Sequence, residues 1–214
     1  MQIERVGDRS IVFTYPVSGW DLNVHLILGM KYNYLIDTGL GSLSIAPVKE
    51  YLHGNSNPLI VINTHHHWDH VSGNHAFEGY TIVSHSLCRK RIQDKWDVMV
   101  ERNGRYMAGE AILYLPNLVF EDTLYFPEDK IKLFHTPGHT LDSISVLDEE
   151  DGILNAGDNV GDTMEEIVPS LETEKAVYAN TISKYKDMDI RFCISGHNKI
   201  CSHDVFDMIL KRLQ

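Results

Sequence analysis

Residues 64–74 read THHHWDHVSGN and hold four histidines and one aspartate between positions 65 and 70. Imidazole is the commonest metal ligand in proteins, and a neighbouring carboxylate is typical of nitrogen and oxygen sites. In an extended or looped segment, His65 and His67 can point the same way because they are two residues apart. Asp69 and His70 then offer a second set of donors further along the chain. The segment therefore predicts a metal site and could serve two adjacent ions.

Two other interpretations of this segment are open. It could be a polar, solvated loop, or a helix on which His66 and His70, four residues apart, share a metal. The His-Glu-x-x-His pattern of helical zinc sites is absent. The apolar run Leu59–Ile62, preceded by Pro58, predicts a buried strand that ends just before the histidines. Because α/β folds place their sites at the carboxyl ends of strands, this run favours the metal site.

The composition is that of an ordinary globular protein. The chain has 214 residues, 43% hydrophobic and 23% charged, and we expect residues 1–214 to form a single α/β domain. Its formal net charge of −11 argues against nucleic acid and anionic membranes as partners, because phosphate binding needs clustered Lys and Arg. The basic run at 89–91 is interpreted as a solvated helix face. The expected partner is therefore a small-molecule substrate.

Three features predict a cytoplasmic location. The first ten residues, MQIERVGDRS, lack the apolar core of a secretory signal. No run approaches 18 apolar residues, the length that a membrane-spanning helix needs. The cysteines, Cys88, Cys193 and Cys201, form no paired motif, which fits a reducing compartment. Cys201 could approach the site through the nearby His197, but we interpret it as a plain buried cysteine.

Short apolar and alternating runs predict strands along the whole chain, with helices between them. The predicted helices include 43–52, capped by Ser42, and 86–94, 172–186 and 203–213. This order of elements predicts an α/β fold with two sheets covered by helices. Residues 95–122 are interpreted as a mostly helical insertion. Its aromatic residues could line a substrate pocket or form the face of a homodimer.

The stretch THHHWDH, followed by Gly73 and Asn74, resembles the His-x-His-x-Asp-His signature of the metallo-β-lactamase superfamily. Within that superfamily it is most similar to glyoxalase II, the hydroxyacylglutathione hydrolases. The resemblance implies an αββα sandwich, in which two mixed sheets are flanked by helices. It also implies that the remaining metal ligands follow downstream in a fixed order.

Three later segments follow predicted strands and match that order. They are HTPGHT at 135–140, NAGD at 155–158 and SGH at 195–197. Each is a weak signal alone, although Pro-Gly forms a tight turn that can aim His139 inward. The resemblance implies one ion on His65, His67 and His139, a second on Asp69, His70 and His197, and Asp158 as a bridge between them. Asp37 matches an aspartate that supports a ligand or its loop.

The activity that the resemblance implies is hydrolysis. Two divalent ions would share a water and lower its pKa from roughly 15.7 to about 7. Zinc is the expected metal, with iron or manganese as alternatives for a His and Asp site. The hydroxide would attack the carbonyl of a small ester, thioester or lactone, with Asp69 orienting it. No Ser-His-Asp or Cys-His arrangement is apparent in the sequence.

Two further functions remain open. The resemblance also includes persulfide dioxygenases, which have the same fold. They hold one Fe(II) with residues that match His65, His139 and Asp158, and the iron keeps open coordination positions for O₂. The other possibility is a non-catalytic metal-binding protein. Residues 159–166 are acidic and lack the basic and aromatic side chains that would hold glutathione. The sequence therefore leaves the identity of the substrate open.

Overall fold

The computed structural model describes residues 1–214, and two β-sheets form its centre. The first sheet contains β1 (Gln2–Val6), β2 (Ser10–Val17), β3 (Trp20–Leu28), β4 (Asn33–Ile36), β5 (Leu59–Ile62), β6 (Thr81–His85) and β7 (Leu118–Phe120). The second contains β8 (Thr123–Phe126), β9 (Ile131–His135), β10 (Ile144–Asp148), β11 (Ile153–Asn155), β12 (Phe192–Ile194) and β13 (Cys201–Ser202). The helices are α1 (Ala46–Tyr51), α2 (Trp68–Val71), α3 (Ser86–Asn103), α4 (Lys175–Lys186) and α5 (Val205–Arg212).

Both sheets are mixed. In the first, β1 to β4 pair as antiparallel neighbours, and β4 to β7 are parallel. In the second, β8 to β11 are antiparallel, β12 runs parallel to β11, and β13 closes one edge. Parallel neighbours need crossover connections, and α1, α2, α3 and α4 lie within them. The carboxyl ends of β4, β5 and β6 consequently meet at one edge of the first sheet.

The two sheets pack face to face around an apolar layer. The first sheet contributes Ile36, Ile62 and Val83, and the second contributes Leu133 and Val146, all of them buried. Each is an inward-facing position of its strand, because successive strand residues point to opposite faces. Burial of one such side chain stabilises the fold by about 1.5–3 kcal/mol. This layer holds the two sheets together.

Helices cover the outer face of each sheet. Val48 of α1 packs with Val61 on the outside of the first sheet. Ile182 of α4 and Phe206 of α5 pack with Leu154 on the outside of the second. The order of layers is helix, sheet, sheet, helix. The predicted αββα sandwich of two mixed sheets is therefore confirmed.

A buried carboxylate ties the turns of the two sheets together at the edge where β4 begins. Asp129, between β8 and β9, accepts hydrogen bonds from the backbone N–H groups of Met30 (2.6 Å), Lys31 (2.9 Å) and Tyr32 (3.0 Å). The hydroxyl of Tyr34 donates to the same carboxylate at 2.8 Å. Burial raises the pKa of Asp129, but these hydrogen bonds outweigh burial and hold the pKa below its ordinary value.

The stretch 95–122 is less helical than the sequence predicts. α3 runs through its first part because Trp96 and Met99 face a small apolar cluster under that helix. A 3₁₀ turn ends at Tyr106, and residues 107–117 contain no helix. Leu118–Phe120 then pairs with β6 as the edge strand of the first sheet. The prediction of a mostly helical segment is therefore wrong beyond Tyr106.

Three predicted helices begin later than the sequence indicated, and the last of them, α5, does so by two residues. α1 starts at Ala46, and Ser42 does not cap it, since its hydroxyl accepts a hydrogen bond from the Glu110 N–H at 3.1 Å. α4 starts at Lys175, because the Thr173 hydroxyl donates to the carbonyl of Gly138 (2.8 Å) and Glu174 has extended backbone angles. None of the five helices combines the length and the apolar character that crossing a bilayer requires.

Candidate metal centre

The seven predicted ligands converge at one edge of the sandwich. Two follow β5 directly, two lie on α2, and the other three follow β9, β11 and β12. In chain order they are His65, His67, Asp69, His70, His139, Asp158 and His197. Six of the seven are buried and the other is half-buried. Strand ends thus bring together side chains that are far apart in the sequence.

Four of these residues form a first group. One donor atom from each of His65, His67, His139 and Asp158 lies within 4.8 Å of the others. His67 Nδ1 and His139 Nε2 face each other at 3.1 Å. His65 Nε2 is 3.5 Å from Asp158 Oδ2. Three imidazole nitrogens and one carboxylate oxygen form a donor set that suits zinc or iron.

A second group consists of Asp69, His70 and His197, and one donor atom from each again lies within 4.8 Å of the others. Asp69 Oδ2 lies 3.4 Å from His197 Nε2 and 3.8 Å from His70 Nε2. Asp158 Oδ2 lies 3.3 Å from the Nε2 atoms of both histidines. The same oxygen is 3.7 Å from His139 Nε2 in the first group. Asp158 therefore stands between the two groups, where a carboxylate can contact both.

Hydrogen bonds fix the orientation of the imidazoles. His139 Nδ1 donates to the carbonyl of Ser170 at 2.7 Å, and His197 Nδ1 donates to the carbonyl of Asp21 at 2.8 Å. A carbonyl can only accept, so each Nδ1 carries the proton and each Nε2 is left with a free lone pair. That lone pair faces the space shared by the two groups. This is the tautomer that a metal-binding histidine needs.

Asp37 supports two parts of the centre without belonging to either group. Its φ of +63° lies in the left-handed region, which is uncommon for residues other than glycine. Its Oδ2 accepts hydrogen bonds from His70 Nδ1 at 2.8 Å and from the Thr64 hydroxyl at 2.7 Å. Its Oδ1 accepts from the Thr64 N–H at 2.8 Å. Asp37 thus orients His70 and the start of the histidine loop.

Burial and neighbouring charges shift the pKa values of the predicted ligands. Burial, aided by the nearby His70, holds the pKa of His65 well below its ordinary value, and burial lowers the pKa of His67 to about 4. Burial also acts to lower the pKa of His70, but the neighbouring carboxylates, Asp158 first, raise it well above 6.5. Burial raises the pKa of Asp158, but His70, His197 and His65 outweigh burial and hold that pKa well below its ordinary value. The carboxylates are ionised, so a cation that displaces the proton of His70 would be paired with their negative charge.

Three buried atoms of predicted ligands have no hydrogen-bond partner in the protein: His65 Nε2, His70 Nε2 and Asp158 Oδ1. An unsatisfied buried polar group costs about 1–3 kcal/mol, so such groups usually contact an ion or water. Their chemistry, imidazole nitrogen and carboxylate oxygen, is that of ligands for divalent ions. The residues present therefore fit a metal centre.

A cavity of about 590 Å³ opens over the centre. Val168 and Pro169 form an apolar part of its lining, and Trp68 forms part of its wall. Trp20 packs edge-on against Trp68 (ring centroids 6.2 Å apart) and against His197 (5.1 Å). The two indoles thus shield one side of the centre from solvent.

Among the aromatic residues in 95–122, for which a pocket wall and a dimer face are the two expectations, Tyr106 contacts a residue that lines the cavity. Its ring stacks on Trp68 with the centroids 5.9 Å apart. Trp96 is buried under α3, and Phe120 packs at the edge of the layer between the sheets. Tyr106 therefore supports the wall of the cavity from behind Trp68.

A polar network that the sequence did not predict lies behind the histidine loop. His66 Nδ1 lies 3.0 Å from Asp142 Oδ1, and His66 Nε2 lies 3.1 Å from Lys95 Nζ. Arg91 pairs with Asp142 at 3.2 Å and also with Glu172. The interpretation of residues 89–91 as a purely solvated face is therefore wrong for Arg91. The pairing joins residues far apart in the chain, and the only local signal was an aspartate three positions after a predicted ligand.

The other histidines lie outside the centre. His66 turns toward Asp142, so the structure does not support a metal shared by His66 and His70 on a helix. His85 stacks on His135 with the ring centroids 4.2 Å apart. The three cysteines are buried, and Cys201 belongs to the apolar cluster outside the second sheet, as predicted for a plain buried cysteine.

Gly196 packs directly against the centre. A Cβ at this position would lie 2.2 Å from Asp158 Oδ1 and 2.7 Å from His70 Cε1. The Gly196 N–H donates to the carbonyl of Gly157 at 3.1 Å, and its own carbonyl accepts from the Asn23 N–H at 2.7 Å. The backbone is held on both sides and cannot move away. Only glycine fits here without displacing the two ligands.

The profile of the metallo-beta-lactamase superfamily matches residues 18–197. That range contains all seven predicted ligands and Asp37. Among solved structures, a metallo-beta-lactamase from Pontibacter korlensis aligns with a TM-score of 0.77 over 100% of this chain and 98% of that chain. The two sequences are 17% identical, so this likeness concerns the fold.

Two relatives carry more specific names. The acyl-coenzyme A thioesterase MBLAC2 of Homo sapiens is 28% identical over an alignment of 177 residues, and the match covers 68% of this chain and 60% of that protein. The chain thus spans less than two thirds of the length of this relative. A hydroxyacylglutathione hydrolase of Pelagibacter ubique (strain HTCC1062) is 32% identical over 100 residues, or 46% of this chain and 35% of that protein.

Proposed function

The chain belongs to the metallo-β-lactamase superfamily, and from this we propose that it is a metal-dependent hydrolase that cleaves a small thioester or ester at a pair of metal ions. The observation that carries the proposal is the position of Asp158, whose Oδ2 lies within 3.7 Å of the Nε2 atoms of four histidines. A single zinc takes three or four protein ligands. Seven ligands in two groups around one carboxylate support two ions.

We assign the two groups to separate ions. His65, His67 and His139 would hold the first, Asp69, His70 and His197 the second, and Asp158 both. Zinc is the metal we expect from the nitrogen-rich donor set. Two divalent ions bound there supply an acidified water and a polarised carbonyl.

Asp69 is the residue that we expect to orient the attacking water. Its carboxylate lines the cavity and is held 3.4 Å from His197 Nε2. Burial raises the pKa of Asp69, but the charge of His70 and the contact with His197 lower it below its ordinary value, so the group is ionised. An ionised carboxylate accepts a hydrogen bond from water and fixes its direction of attack. Hydrolysis then breaks the bond from the acyl carbon to sulfur or oxygen, and the proton goes to the departing thiol or alcohol.

Other residues suit the cavity to an acyl group. Val168 and Pro169 offer apolar surface beside the centre, and Trp68 with its neighbour Trp20 shields that space from solvent. Burial raises the pKa of Cys88 and of Cys193, so neither thiol provides a nucleophile that would compete with water. The names of the relatives, a thioesterase and a hydroxyacylglutathione hydrolase, favour a thioester among the possible substrates.

Elemental analysis and a substrate panel test this proposal together. We expect about two zinc per chain in protein purified without added metal, and hydrolysis of acyl thioesters or esters that a chelator abolishes and zinc restores. His197→Ala should lower the zinc content and the rate, whereas His53→Ala, which changes an exposed histidine, should alter neither. One iron per chain with O₂ uptake and no hydrolysis would refute the proposal, as would two zinc with no turnover of any thioester, ester, lactone or β-lactam.

A further inference from the structure

A second cavity adjoins the cavity over the metal centre. It measures about 530 Å³, runs along α3, and shares His67 and Trp68 with the first. The two cavities adjoin at these two residues; we call them together the cleft, with the α3 lobe along α3 and the acidic lobe over the centre. His67, a predicted metal ligand, borders both. A substrate whose carbonyl reaches the centre can extend one arm into each lobe.

The α3 lobe presents positive charge above an apolar surface. Lys95, Val98, Met99 and Arg102 line it and lie on one face of α3, because they are three, four and seven residues apart. Arg102 is exposed and takes part in no ion pair. Its guanidinium is therefore free to bind an anion that enters the lobe.

The acidic groups near α3 are already compensated. Asp94, which also lines the α3 lobe, is paired with Lys90 one turn away. Glu172 is paired with Arg91 and lies 3.7 Å from Lys95. Because these carboxylates are paired with basic side chains, the unpaired charge in the α3 lobe is the positive charge of Arg102. This is a local exception in a chain whose formal net charge is −11.

The acidic lobe, which is the cavity over the metal centre, has the opposite character. Asp162 and Glu166 line it beside Val168 and Pro169. Both carboxylates are exposed and neither forms an ion pair. Two unpaired negative charges repel an anionic arm and leave the apolar surface for an uncharged one. The unpaired charge therefore changes sign between the two lobes.

We propose that the α3 lobe binds the anionic thiol portion of an acyl thioester, while the acidic lobe receives its uncharged acyl chain. This inference rests on the proposed function and names the substrate class. Arg102 suits a phosphate or a carboxylate, because guanidinium binds both in a bidentate manner. Val98 and Met99 suit the uncharged linker between that anion and the sulfur. The polarity of the cleft then fixes which side of the scissile bond faces each lobe.

Binding of thioethers tests the α3 lobe without any hydrolysis. S-methyl-coenzyme A carries phosphates, S-methylglutathione carries carboxylates, and S-methyl-N-acetylcysteamine is uncharged. We expect calorimetry on the metal-loaded protein to show tighter binding of at least one anionic thioether than of the uncharged one. The advantage should shrink when the salt concentration is raised, because exposed charges are screened. Comparison of the two anionic compounds tells a phosphate site from a carboxylate site.

Substitution of Arg102 locates that site. Arg102→Gln should weaken binding of the preferred anionic thioether about fivefold, as for a partly solvated ion pair, and Arg102→Lys should recover part of the loss. Lys184→Gln removes the same charge from an exposed position on α4 and should bind as the wild type does. The uncharged thioether should lose less affinity than the anionic one in Arg102→Gln.

Two further thioethers test binding of the acyl chain in the acidic lobe. Both contain the thiol portion of the anionic thioether that binds more tightly, and its sulfur carries a butyl group in one and a 3-carboxypropyl group in the other. The wild type should bind the butyl compound more tightly, because Asp162 and Glu166 repel the added carboxylate. The double variant Asp162→Asn, Glu166→Gln should reduce this preference severalfold. An unchanged preference would remove the acidic lobe from the proposal.

Failure of this inference and failure of the proposed function are distinguishable. If Arg102→Gln binds both anionic thioethers as the wild type does, or if the uncharged thioether binds equally well, the inference is overturned whatever the enzyme hydrolyses. If binding follows expectation but no acyl thioester is cleaved, the anion site stands and the proposed hydrolysis fails.

Discussion

Gly196→Ala is the substitution that most directly tests how tightly the metal centre is built. The added methyl group would lie 2.2 Å from Asp158 Oδ1, and ordinary contact begins near 3.4 Å. Because the backbone of Gly196 is hydrogen-bonded to Gly157 and Asn23, it cannot retreat, so the carboxylate must move by about 1 Å. A similar displacement applies to His70 Cε1, which would be 2.7 Å away.

The expected consequences differ for stability and for function. Overpacking of this kind costs about 1–3 kcal/mol, so the variant should fold with a lowered melting temperature. A displacement of about 1 Å at a reacting centre costs roughly 100-fold in rate, and kcat/KM should fall by at least that factor. The metal content should fall as well, because Asp158 contacts both ligand groups. Elemental analysis, circular dichroism and steady-state kinetics on one preparation provide the three readouts.

Gly104→Ala is the matched control. Gly104 has no heavy atom within 4 Å of the position of an added Cβ, and it follows α3 with helical backbone angles. Its replacement should leave metal content and rate unchanged and should raise stability by at most about 1 kcal/mol. If Gly196→Ala keeps both the wild-type metal content and the wild-type rate, the reasoning about close packing at the centre is refuted.

Three further substitutions address separate features. Asp158→Ala should lose metal and activity together, and unchanged metal stoichiometry in elemental analysis would contradict its position between two ions. Asp37→Asn keeps a side chain that tolerates the left-handed backbone, but it weakens the hydrogen bond to His70. Competition with a chelator should therefore show a metal affinity lower by roughly 10- to 100-fold. An unchanged affinity would count against a supporting role of Asp37. Asp129→Asn should cost about 2 kcal/mol at pH 7 in urea unfolding. The pKa of Asp129 is lowered in the folded state, so this loss of unfolding free energy is fully present above the ordinary pKa of 3.8 and shrinks as the pH falls below it. A loss that does not change with pH would exclude the carboxylate as its source.

The fold and the family were predictable because their signals are local in the sequence. Residues 59–70 combine a buried strand with a dense set of ligands, and both follow from patterns within a few residues. The αββα architecture came with the family resemblance and is confirmed by the layer order of the sheets and helices. The later ligands, such as His139 and His197, stand in short segments that were informative only once the first motif had fixed the family. The metal-binding roles themselves stay predictions until metals are measured.

The errors have physical causes that local patterns do not reveal. β7 has three residues, too few for an alternating pattern, and it exists because β6 offers it an edge. The polar network of His66, Asp142 and Arg91 joins residues up to 76 positions apart, so no local sequence pattern around one of them predicts its contact with the others. The predicted helix at 86–94 and the first part of the predicted helical insertion form one continuous helix, because buried side chains continue along the inner face of α3 to Met99.

The division of the chain between the two sheets has a consequence for its biosynthesis. All strands of the first sheet lie before residue 121, and all strands of the second lie after it. A chain emerging from the ribosome can therefore complete the first sheet while the second is still being made. At that moment it carries only the ligands between His65 and His70, whereas Asp158 and His197 arrive with β11 and β12. The predicted ligand set is thus complete only after the second sheet has been made.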